Sequence, residues 1–195
     1  MIRLFTNTYI DPDPARDVEL ATALANNIDH ALIDLVYEVR SGERATFADL
    51  FSRANEVTGP DDLNIIANAD ICFDQTLAEI QTLRLNEIYA LSRWDSTREG
   101  LKLFDRRDSQ DCWIFRGPVR REVIHNSVFP CGARGCDNRL AAILAAAGYQ
   151  VSNPSRSIRA IHLHQSEIRR YPEFVVTGSY LTLPPVELGM LEESK

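Results

Sequence analysis

Residues 63–74 read LNIIANADICFD, an apolar stretch that runs into the tripeptide Asn68-Ala69-Asp70. A short run of branched apolar residues predicts a buried β-strand, and the polar residues after it predict that the strand ends near Asn68. In α/β proteins, ligands bind outside the carboxyl ends of the strands. The stretch therefore predicts a central strand and places Asp70 at the ligand-binding edge of a sheet.

Strands and helices alternate through the first half of the chain. We predict strands at 2–9, 31–39, 63–68, 86–95, 112–117 and 157–166, helices at 11–28, 46–58 and 138–147, and a short helix or turn at 74–83. Such alternation produces βαβ units and a parallel sheet. We expect an α/β fold with helices flanking a mostly parallel central sheet, in a single domain at 1–181 followed by a C-terminal tail at 182–195.

Capping residues predict where the helices begin and end. Asp13 with Pro14 marks the start of the first helix, Thr46 with Asp49 marks a capping box in the second, and Gly148 follows the last helix. The near-continuous apolar segment 31–39 predicts a strand covered on both faces. The helix residues expected to face the core are Val18, Ala21, Leu24, Ala25, Ile28, Phe47, Leu50, Phe51, Ala54, Leu140, Ile143, Leu144 and Ala147.

The composition is that of an ordinary globular domain and excludes some functions. The chain has 195 residues, is 45% hydrophobic and carries a formal net charge of -7, which argues against general nucleic-acid binding through a basic surface. No run of about 18 apolar residues occurs, so no transmembrane segment is expected. The four cysteines lack a metal-binding spacing, and we expect reduced thiols and a cytoplasmic location.

Segment 52–70, SRANEVTGPDDLNIIANAD, resembles a motif of inverting GT-A glycosyltransferases, especially family 2. Segment 108–115, DSQDCWIF, is similar to segments of small single-domain GT-A proteins of bacteria and large viruses. In the family 2 motif an Arg-Asn pair precedes a hydrophobic strand that ends in Asp-x-Asp. Arg53 and Asn55 match the pair, Asn68 replaces the first acid, and Asp70 keeps the last. The resemblance implies a GT-A-like (Rossmann-like) fold in which Asp70 binds a divalent cation and the other three residues contact the nucleotide.

A divalent cation at Asp70 would have a definite task. Mn²⁺ or Mg²⁺ bridging the two phosphates stabilises the negative charge that develops on a nucleoside diphosphate leaving group. One carboxylate suffices if phosphate oxygens and water fill the other positions. Taken in isolation, Asp70 and Asp74 are equally typical of a turn and a helix N-cap after a strand.

Asp137 follows a glycine-bearing loop and directly precedes the amphipathic helix at 138–147. The resemblance implies that this acid is the general base that deprotonates the acceptor hydroxyl, and a carboxylate suffices because the electrophile is oxocarbenium-like. Asp is also a favoured N-cap residue, so a structural role is the alternative.

Two histidines alternate in the last predicted strand, so His162 and His164 share a face. The resemblance implies that a late histidine completes the metal site and that a following basic residue, Arg169 or Arg170, touches the phosphates. His164 is preferred as the ligand, with His162 as the alternative, and an imidazole beside a carboxylate favours Mn²⁺ over Mg²⁺. Core-edge histidines are the structural alternative.

Two further groups of residues fit a sugar-nucleotide site. The segments around Trp94 and Asp111 combine an aromatic plane with acids that suit sugar hydroxyls, although a solvated acidic loop would look the same. The resemblance places the nucleoside at the end of the first strand. The candidate sugar or acceptor contacts are Trp94, Asp95 and Asp111, and the candidate nucleotide contacts are Thr6, Asn7 and Tyr9.

Together these features predict a hexosyl- or deoxyhexosyltransferase that moves a sugar from a UDP- or GDP-sugar to a glycan or other hydroxyl acceptor. By the resemblance the reaction inverts the anomeric centre and needs a divalent metal. Two alternatives remain at the sequence level, because folds of this class host many functions. They are a non-catalytic module that binds nucleotide or glycan, and a metal-dependent nucleotidyltransferase or hydrolase.

Overall fold

A computed structural model describes residues 1–40, 44–163 and 174–190. In chain order its strands are β1 (Ile2–Thr6), β2 (Leu35–Glu38), β3 (Leu63–Ala67), β4 (Ile71–Phe73), β5 (Glu87–Leu91), β6 (Arg93–Thr97), β7 (Gly100–Leu103), β8 (Cys112–Arg116), β9 (Gln150–Ser152) and β10 (Ala160–His162). Its helices are α1 (Pro14–Ile28), α2 (Phe47–Val57), α3 (Arg121–Asn126) and α4 (Cys136–Ala146), with a 3₁₀ helix at Gln75–Thr82.

The main sheet has the strand order β2-β1-β3-β8-β5-β9. Strand β1 pairs in parallel with β2 and β3, β5 pairs in parallel with β9, and β8 runs antiparallel between β3 and β5. Five of the six strands therefore point the same way, and the carboxyl ends of β1, β2, β3 and β5 share one edge. The expectation of an α/β fold with a mostly parallel central sheet is confirmed.

A second sheet, β4-β10-β6-β7, was not expected. The chain passes from the main sheet into this sheet three times, between β3 and β4, between β5 and β6, and between β9 and β10. The predicted single strand at 86–95 is thus two strands that break at the buried Ser92. Asn153 fixes this break, because its Oδ1 accepts from the Ser92 N–H at 3.1 Å and its Nδ2 donates to Ser92 Oγ at 2.9 Å.

Apolar residues cover both faces of the main sheet. On one face, α2, α3 and α4 pack around Trp113 and Phe115 of β8. On the other, β4, β10 and the 3₁₀ helix pack against Leu4, Ile65 and Ile114. Burial on both faces explains why the central strands are almost continuously apolar.

Helix α1 begins as predicted, but the face it buries was predicted wrongly. Asp13 Oδ1 accepts hydrogen bonds from the N–H groups of residues 15 and 16, and Pro14 is the first helical residue. The buried residues are Arg16, Leu20, Ala23 and Asn27, whereas Val18 and Ile28 are 64% and 58% exposed. Polar side chains occupy half of the buried positions because the helix covers a polar cleft, and hydrophobic periodicity does not detect them.

The other helices follow the sequence pattern closely. The Thr46–Asp49 capping box forms at the start of α2, and the four apolar residues predicted for its core face are buried. Helix α4 begins earlier than expected, so Asp137 lies in its first turn, and Gly135 is the N-cap. Segment 31–39 was predicted wrongly as a covered strand, because β2 is short, partly exposed and at the edge of the sheet.

Residues 182–190 of the predicted tail lie against the domain. Leu183 is buried, and its N–H donates to the carbonyl of Arg107 at 2.7 Å. The Leu183 carbonyl accepts from Asn153 Nδ2 at 2.8 Å, which ties this segment to the break between β5 and β6. Separately, none of the helices in the described ranges combines the length and apolarity needed to cross a bilayer.

Replacing Asn153 by Ala should lower the free energy of unfolding by about 2–3 kcal/mol. The substitution removes the hydrogen-bond partner that Asn153 provides to the buried Ser92 N–H and to the Leu183 carbonyl. Urea unfolding measures this change. Asn126→Ala is the matched control, since its Nδ2 makes only an exposed bond to the Glu122 carbonyl. Equal effects of the two variants would contradict a special role for the Asn153 contacts.

Candidate active site

A cleft opens at the shared carboxyl edge of the main sheet, where the chain turns into the second sheet. Asn7 and Tyr9 follow β1, Asn68 and Asp70 follow β3, and Asp111 precedes the antiparallel β8. The remaining lining residues are Asp11, Arg16, Arg44, Phe47, Leu50, Ile66, Ala67, Ala69, Arg93, Trp113, Cys131, Gly132 and His162. The carboxyl ends of strands are the expected ligand position in an α/β sheet, so this cleft is the candidate active site.

Asp70 is the most tightly held acid in the cleft. Its residue is 8% exposed, and its Oδ2 accepts a hydrogen bond from Arg16 and lies 3.1 Å from His162 Nε2. The second arm of Arg16 pairs with Glu19 at 2.9 Å. A buried carboxylate requires such cationic partners, and they come from α1 and β10.

His162 lies between two carboxylates. Its Nδ1 is 2.9 Å from Asp95 Oδ1, and the pairing of β6 with β10 places Asp95 directly opposite it. Burial alone would lower the pKa of His162, but the hydrogen bond to Asp70 and the charges of Asp70 and Asp111 outweigh burial and raise it. The imidazole ring of His162 therefore links Asp70, which follows β3, to Asp95 of the second sheet.

Arg93 extends this polar network to the other wall of the cleft. Its Nε donates to Asp95 Oδ1 at 2.8 Å, and its Nη1 donates to Asp111 Oδ2 at 3.4 Å. The guanidinium also lies 4.0 Å from the ring centroid of Phe104. Asn68, which follows β3, also joins this network, because its Nδ2 donates to Asp111 Oδ1 at 3.0 Å.

Asp137 adjoins the cleft at the wall formed by Asp111 and Cys131, although it is not itself a lining residue. Its Oδ2 accepts from the Gln110 N–H at 3.4 Å, and its Oδ1 accepts from Cys136 Sγ at 3.1 Å. Burial, followed by the nearby charge of Asp111, raises the pKa of Asp137 to about 7. A carboxyl group with such a pKa can accept a proton near neutral pH.

Asp111 has its own raised pKa, and burial is the main cause. The charges of Arg93 and His162 act in the opposite direction, and that of Asp70 adds to the rise. Two acids with raised pKa values thus stand on one side of the cleft. Perturbed acids of this kind are characteristic of functional sites.

The arrangement of Asp70 and His162 suits a divalent cation. Ligands at about 2.1 Å from one ion and at right angles to each other are about 3 Å apart, close to the observed 3.1 Å between Asp70 Oδ2 and His162 Nε2. A metal there would take the place of the proton that His162 otherwise shares with Asp70. The described residues contain no group of three or more potential ligands, so phosphate oxygens or water would complete the coordination.

The nucleotide side of the cleft begins at the end of β1. Asn7 is buried, and Tyr9 is partly exposed with the guanidinium of Arg44 5.9 Å from its ring centroid. Arg44 Nη1 also donates to the Cys131 carbonyl at 3.0 Å, which links this wall to the loop before α4. Thr6 is buried at the end of β1 and does not line the cleft.

Arg53 and Asn55, two of the predicted nucleotide contacts, do not line the cleft. Arg53 pairs with Glu56 at 3.0 Å, and its guanidinium lies over the ring of Tyr37, 5.2 Å from the centroid. Asn55 Nδ2 donates to the Val119 carbonyl, and Asn55 Oδ1 accepts from the Val119 N–H, each at 2.8 Å. Val119 follows the carboxyl end of β8, and because β8 is antiparallel, that end lies at the opposite edge of the sheet.

Trp94, a predicted sugar contact, does not line the cleft either. Side chains alternate along a strand, so Trp94 faces away from Arg93 and Asp95. Its Nε1 donates to the Ser155 carbonyl at 2.7 Å, and Arg159 lies over its ring at 5.2 Å. Trp94 therefore supports the outer face of the second sheet.

His164 and Arg169 lie outside the described residues, as does Arg170, and their predicted roles stay predictions. Three cationic residues of the cleft were missed by the sequence reasoning. Arg16, Arg44 and Arg93 all line it. Arg93 could have been found, because it lies two positions before Asp95 in a strand and therefore shares its face. The sequence around Arg16 gives no such indication, because Arg16 lies within a helical pattern.

No protein-family model matches the chain, and no curated protein matches it at a significant level. The function therefore has to be argued from the geometry of the cleft.

Replacing Asp137 by Asn should change the pH dependence of stability. The pKa of Asp137 is about 7 in the folded chain and near 3.8 when unperturbed, so ionisation destabilises the native state as pH rises between those values. Relative to wild type, Asp137→Asn should gain about 2–3 kcal/mol in unfolding free energy between about pH 5 and pH 8. Urea titrations at both pH values measure this difference.

The control for that comparison is Asp108→Asn. Asp108 forms an ion pair with Arg106 at the surface, and the hydrogen bond from Arg106 lowers its pKa. Its removal should produce no gain at high pH. A pH-independent stability difference for Asp137→Asn would show that its carboxyl group is not destabilised by ionisation.

Proposed function

We propose that this chain is a glycosyltransferase that moves a sugar from a nucleoside-diphosphate donor to a hydroxyl acceptor. The observation that carries the proposal is the pairing of two unlike acidic groups across one cleft. Asp70 with His162 suits a cation on one side of the cleft, Asp111 lines the other side, and Asp137 adjoins that second wall; both Asp111 and Asp137 have raised pKa values. Metal-dependent, inverting sugar transfer from a nucleotide uses a cation and a base at one centre.

The sheet supports this proposal at the level of architecture. Five co-directional strands and the single reversed strand β8 bring the ends of β1 and β3 next to the start of β8. Donor groups can therefore lie along β1 and β3 while the acceptor approaches from the α4 side. The resemblance of segment 52–70 to GT-A enzymes now rests on Asn68 and Asp70, since Arg53 and Asn55 point elsewhere.

Asn7, Tyr9 and Arg44 would bind the donor nucleotide. Tyr9 offers a partly exposed aromatic face for the base, and Asn7 offers hydrogen bonds at the end of β1. Arg44 places positive charge on the cleft wall, where a diphosphate requires it. A divalent ion held by Asp70 and His162 would, when bound, neutralise the charge on the departing diphosphate.

Asp137 would act as the general base. Its carboxylate takes the proton of the acceptor hydroxyl, the hydroxyl oxygen bonds to the anomeric carbon, and the bond from that carbon to the phosphate oxygen breaks. The nucleoside diphosphate leaves with the bonding electrons. Attack from the side opposite the leaving group inverts the anomeric centre, as the resemblance implies. The Gln110 N–H and Cys136 Sγ hold the carboxylate in place.

Nucleotide binding is the first test. Isothermal titration with UDP and GDP, each with Mn²⁺ and with EDTA, should reveal binding that Tyr9→Ala weakens about tenfold, since stacking of a base on an aromatic ring is worth roughly 1–3 kcal/mol. Arg53→Ala is the matched control and should bind as wild type does, because Arg53 lies outside the cleft. Loss of binding in Arg53→Ala with none in Tyr9→Ala would move the nucleotide to another surface.

Turnover is the second test. A screen of UDP- and GDP-sugars should find a donor from which Asp137→Asn transfers or hydrolyses sugar at least about 100-fold more slowly than wild type, since general base catalysis contributes roughly 10²–10⁴-fold. Nucleotide affinity should be retained. Full activity in Asp137→Asn with loss in Asp111→Asn would transfer the base role to Asp111.

The other two function classes are outcomes of these experiments. Nucleotide binding without turnover of any sugar donor would indicate a binding module. Release of pyrophosphate from a nucleoside triphosphate would indicate a nucleotidyltransferase.

A further inference from the structure

Asp95 was expected to contact a sugar, but its carboxylate faces the protein. Its Oδ1 lies 2.9 Å from His162 Nδ1 and accepts from Arg93 Nε at 2.8 Å. The parallel pairing of β6 with β10 sets Asp95 and His162 side by side. About one third of the Asp95 side chain is exposed, 35%, and its Oδ1 contacts His162 and Arg93, which line the cleft.

This contact determines how the His162 ring is oriented. With Nδ1 directed at Asp95, Nε2 is directed at Asp70 Oδ2, 3.1 Å away. When Nδ1 carries the proton and donates to Asp95, Nε2 presents its lone pair toward Asp70 Oδ2, so both atoms can bind one cation beside the contact of Arg16 with Asp70. Histidines that bind metals commonly donate their other ring N–H to a carboxylate, which fixes the tautomer and increases the basicity of the ligand.

We propose that Asp95 is the positioning residue of a divalent metal site, and that it holds the His162 ring so that His162 Nε2 and the Asp70 carboxylate bind one cation. This inference rests on the proposed function for its choice of Mn²⁺ with a nucleoside diphosphate. It assigns Asp95 to the support of the metal and not to the recognition of sugar.

Arg93 makes this support rigid. Its guanidinium packs on Phe104, 4.0 Å from the ring centroid, and reaches both Asp95 and Asp111. Asp95 is thereby held by a cation on one side and by His162 on the other. A ligand whose supporting residue is itself fixed loses little conformational freedom when it binds a metal.

The experiment measures Mn²⁺ binding by the full chain in the presence of UDP or GDP, by electron paramagnetic resonance and by titration calorimetry. Asp95→Ala should weaken Mn²⁺ binding about 10- to 100-fold, the usual effect of losing such an outer partner. Asp95→Asn, which keeps the shape and one acceptor oxygen, should show a smaller loss and provides the answer if the Ala variant does not fold. Asp108→Ala, which removes another arginine-paired acid, should bind Mn²⁺ as wild type does.

A double-mutant cycle separates positioning from general stability. In a His162→Gln background there is no ring to hold, so adding Asp95→Ala should cause little further loss of Mn²⁺ affinity. Multiplicative losses in the two variants would overturn the proposal. So would unchanged Mn²⁺ affinity in both Asp95 variants, or a wild-type chain that binds no Mn²⁺ with either nucleotide.

The sugar-transfer proposal can fail independently of this one. Sugar transfer that proceeds equally well in EDTA would leave the glycosyltransferase assignment standing and overturn the metal site. Asp95-dependent Mn²⁺ binding in a chain that transfers no sugar would leave the metal site standing and remove the proposed reaction.

Discussion

The contact of the Asp70 carboxylate with Arg16 and His162 is the constraint on which the rest of the cleft depends. Asp70 is buried, and an ionised carboxylate removed from water is stable only beside cationic partners. Those partners come from α1, early in the chain, and from β10, near the end of the described residues. The packing of α1 and β10 next to the carboxyl end of β3 is therefore stabilised by the charge of Asp70.

The two sheets explain why polar groups collect at this point. Between β3 and β4, and between β5 and β6, the backbone leaves the hydrogen bonds of one sheet and enters those of the other. Where a backbone N–H or C=O group at these points is not paired within either sheet, a side chain must provide its hydrogen-bond partner. Asn153 does this between β5 and β6, where its Oδ1 accepts from the Ser92 N–H. Between β3 and β4, the Asn68 side chain instead donates to the Asp111 carboxylate. The same junction leaves room for a ligand, because neither sheet covers it.

The sequence predicts most of the fold and part of the cleft, and the failures have physical causes. Helix α2 and strands β3 and β8 carry local signals, namely a capping box and continuous apolar runs, so they appear where expected. The buried face of α1 was wrong because Arg16 and Asn27 are buried through polar contacts with Asp70 and with the Ile71 carbonyl. The break at Ser92 depends on Asn153, 61 residues away, and no local pattern encodes such a contact.

For the cleft, most of the predicted residues that came together lie at the ends of central strands. Asn7, Tyr9, Asn68, Asp70 and Asp111 follow or precede central strands and share an edge. Arg53, Asn55 and Trp94 were selected by a motif or by residue type, which does not specify the face of a helix or strand. The cationic partners Arg16 and Arg93 were missed because their task is set by acids that are distant in sequence.

The contacts of the cleft also bear on when, during folding, the chain becomes able to bind a ligand. Its central contacts join residue 16 to residue 70 and residue 70 to residue 162, across 54 and 92 positions. Loop closure over such distances is slow, and contacts of this kind form late in folding. A partly folded chain with a complete main sheet but an undocked β10 would lack the His162 side of the pocket, so binding of a ligand that needs His162 would report that β10 has docked.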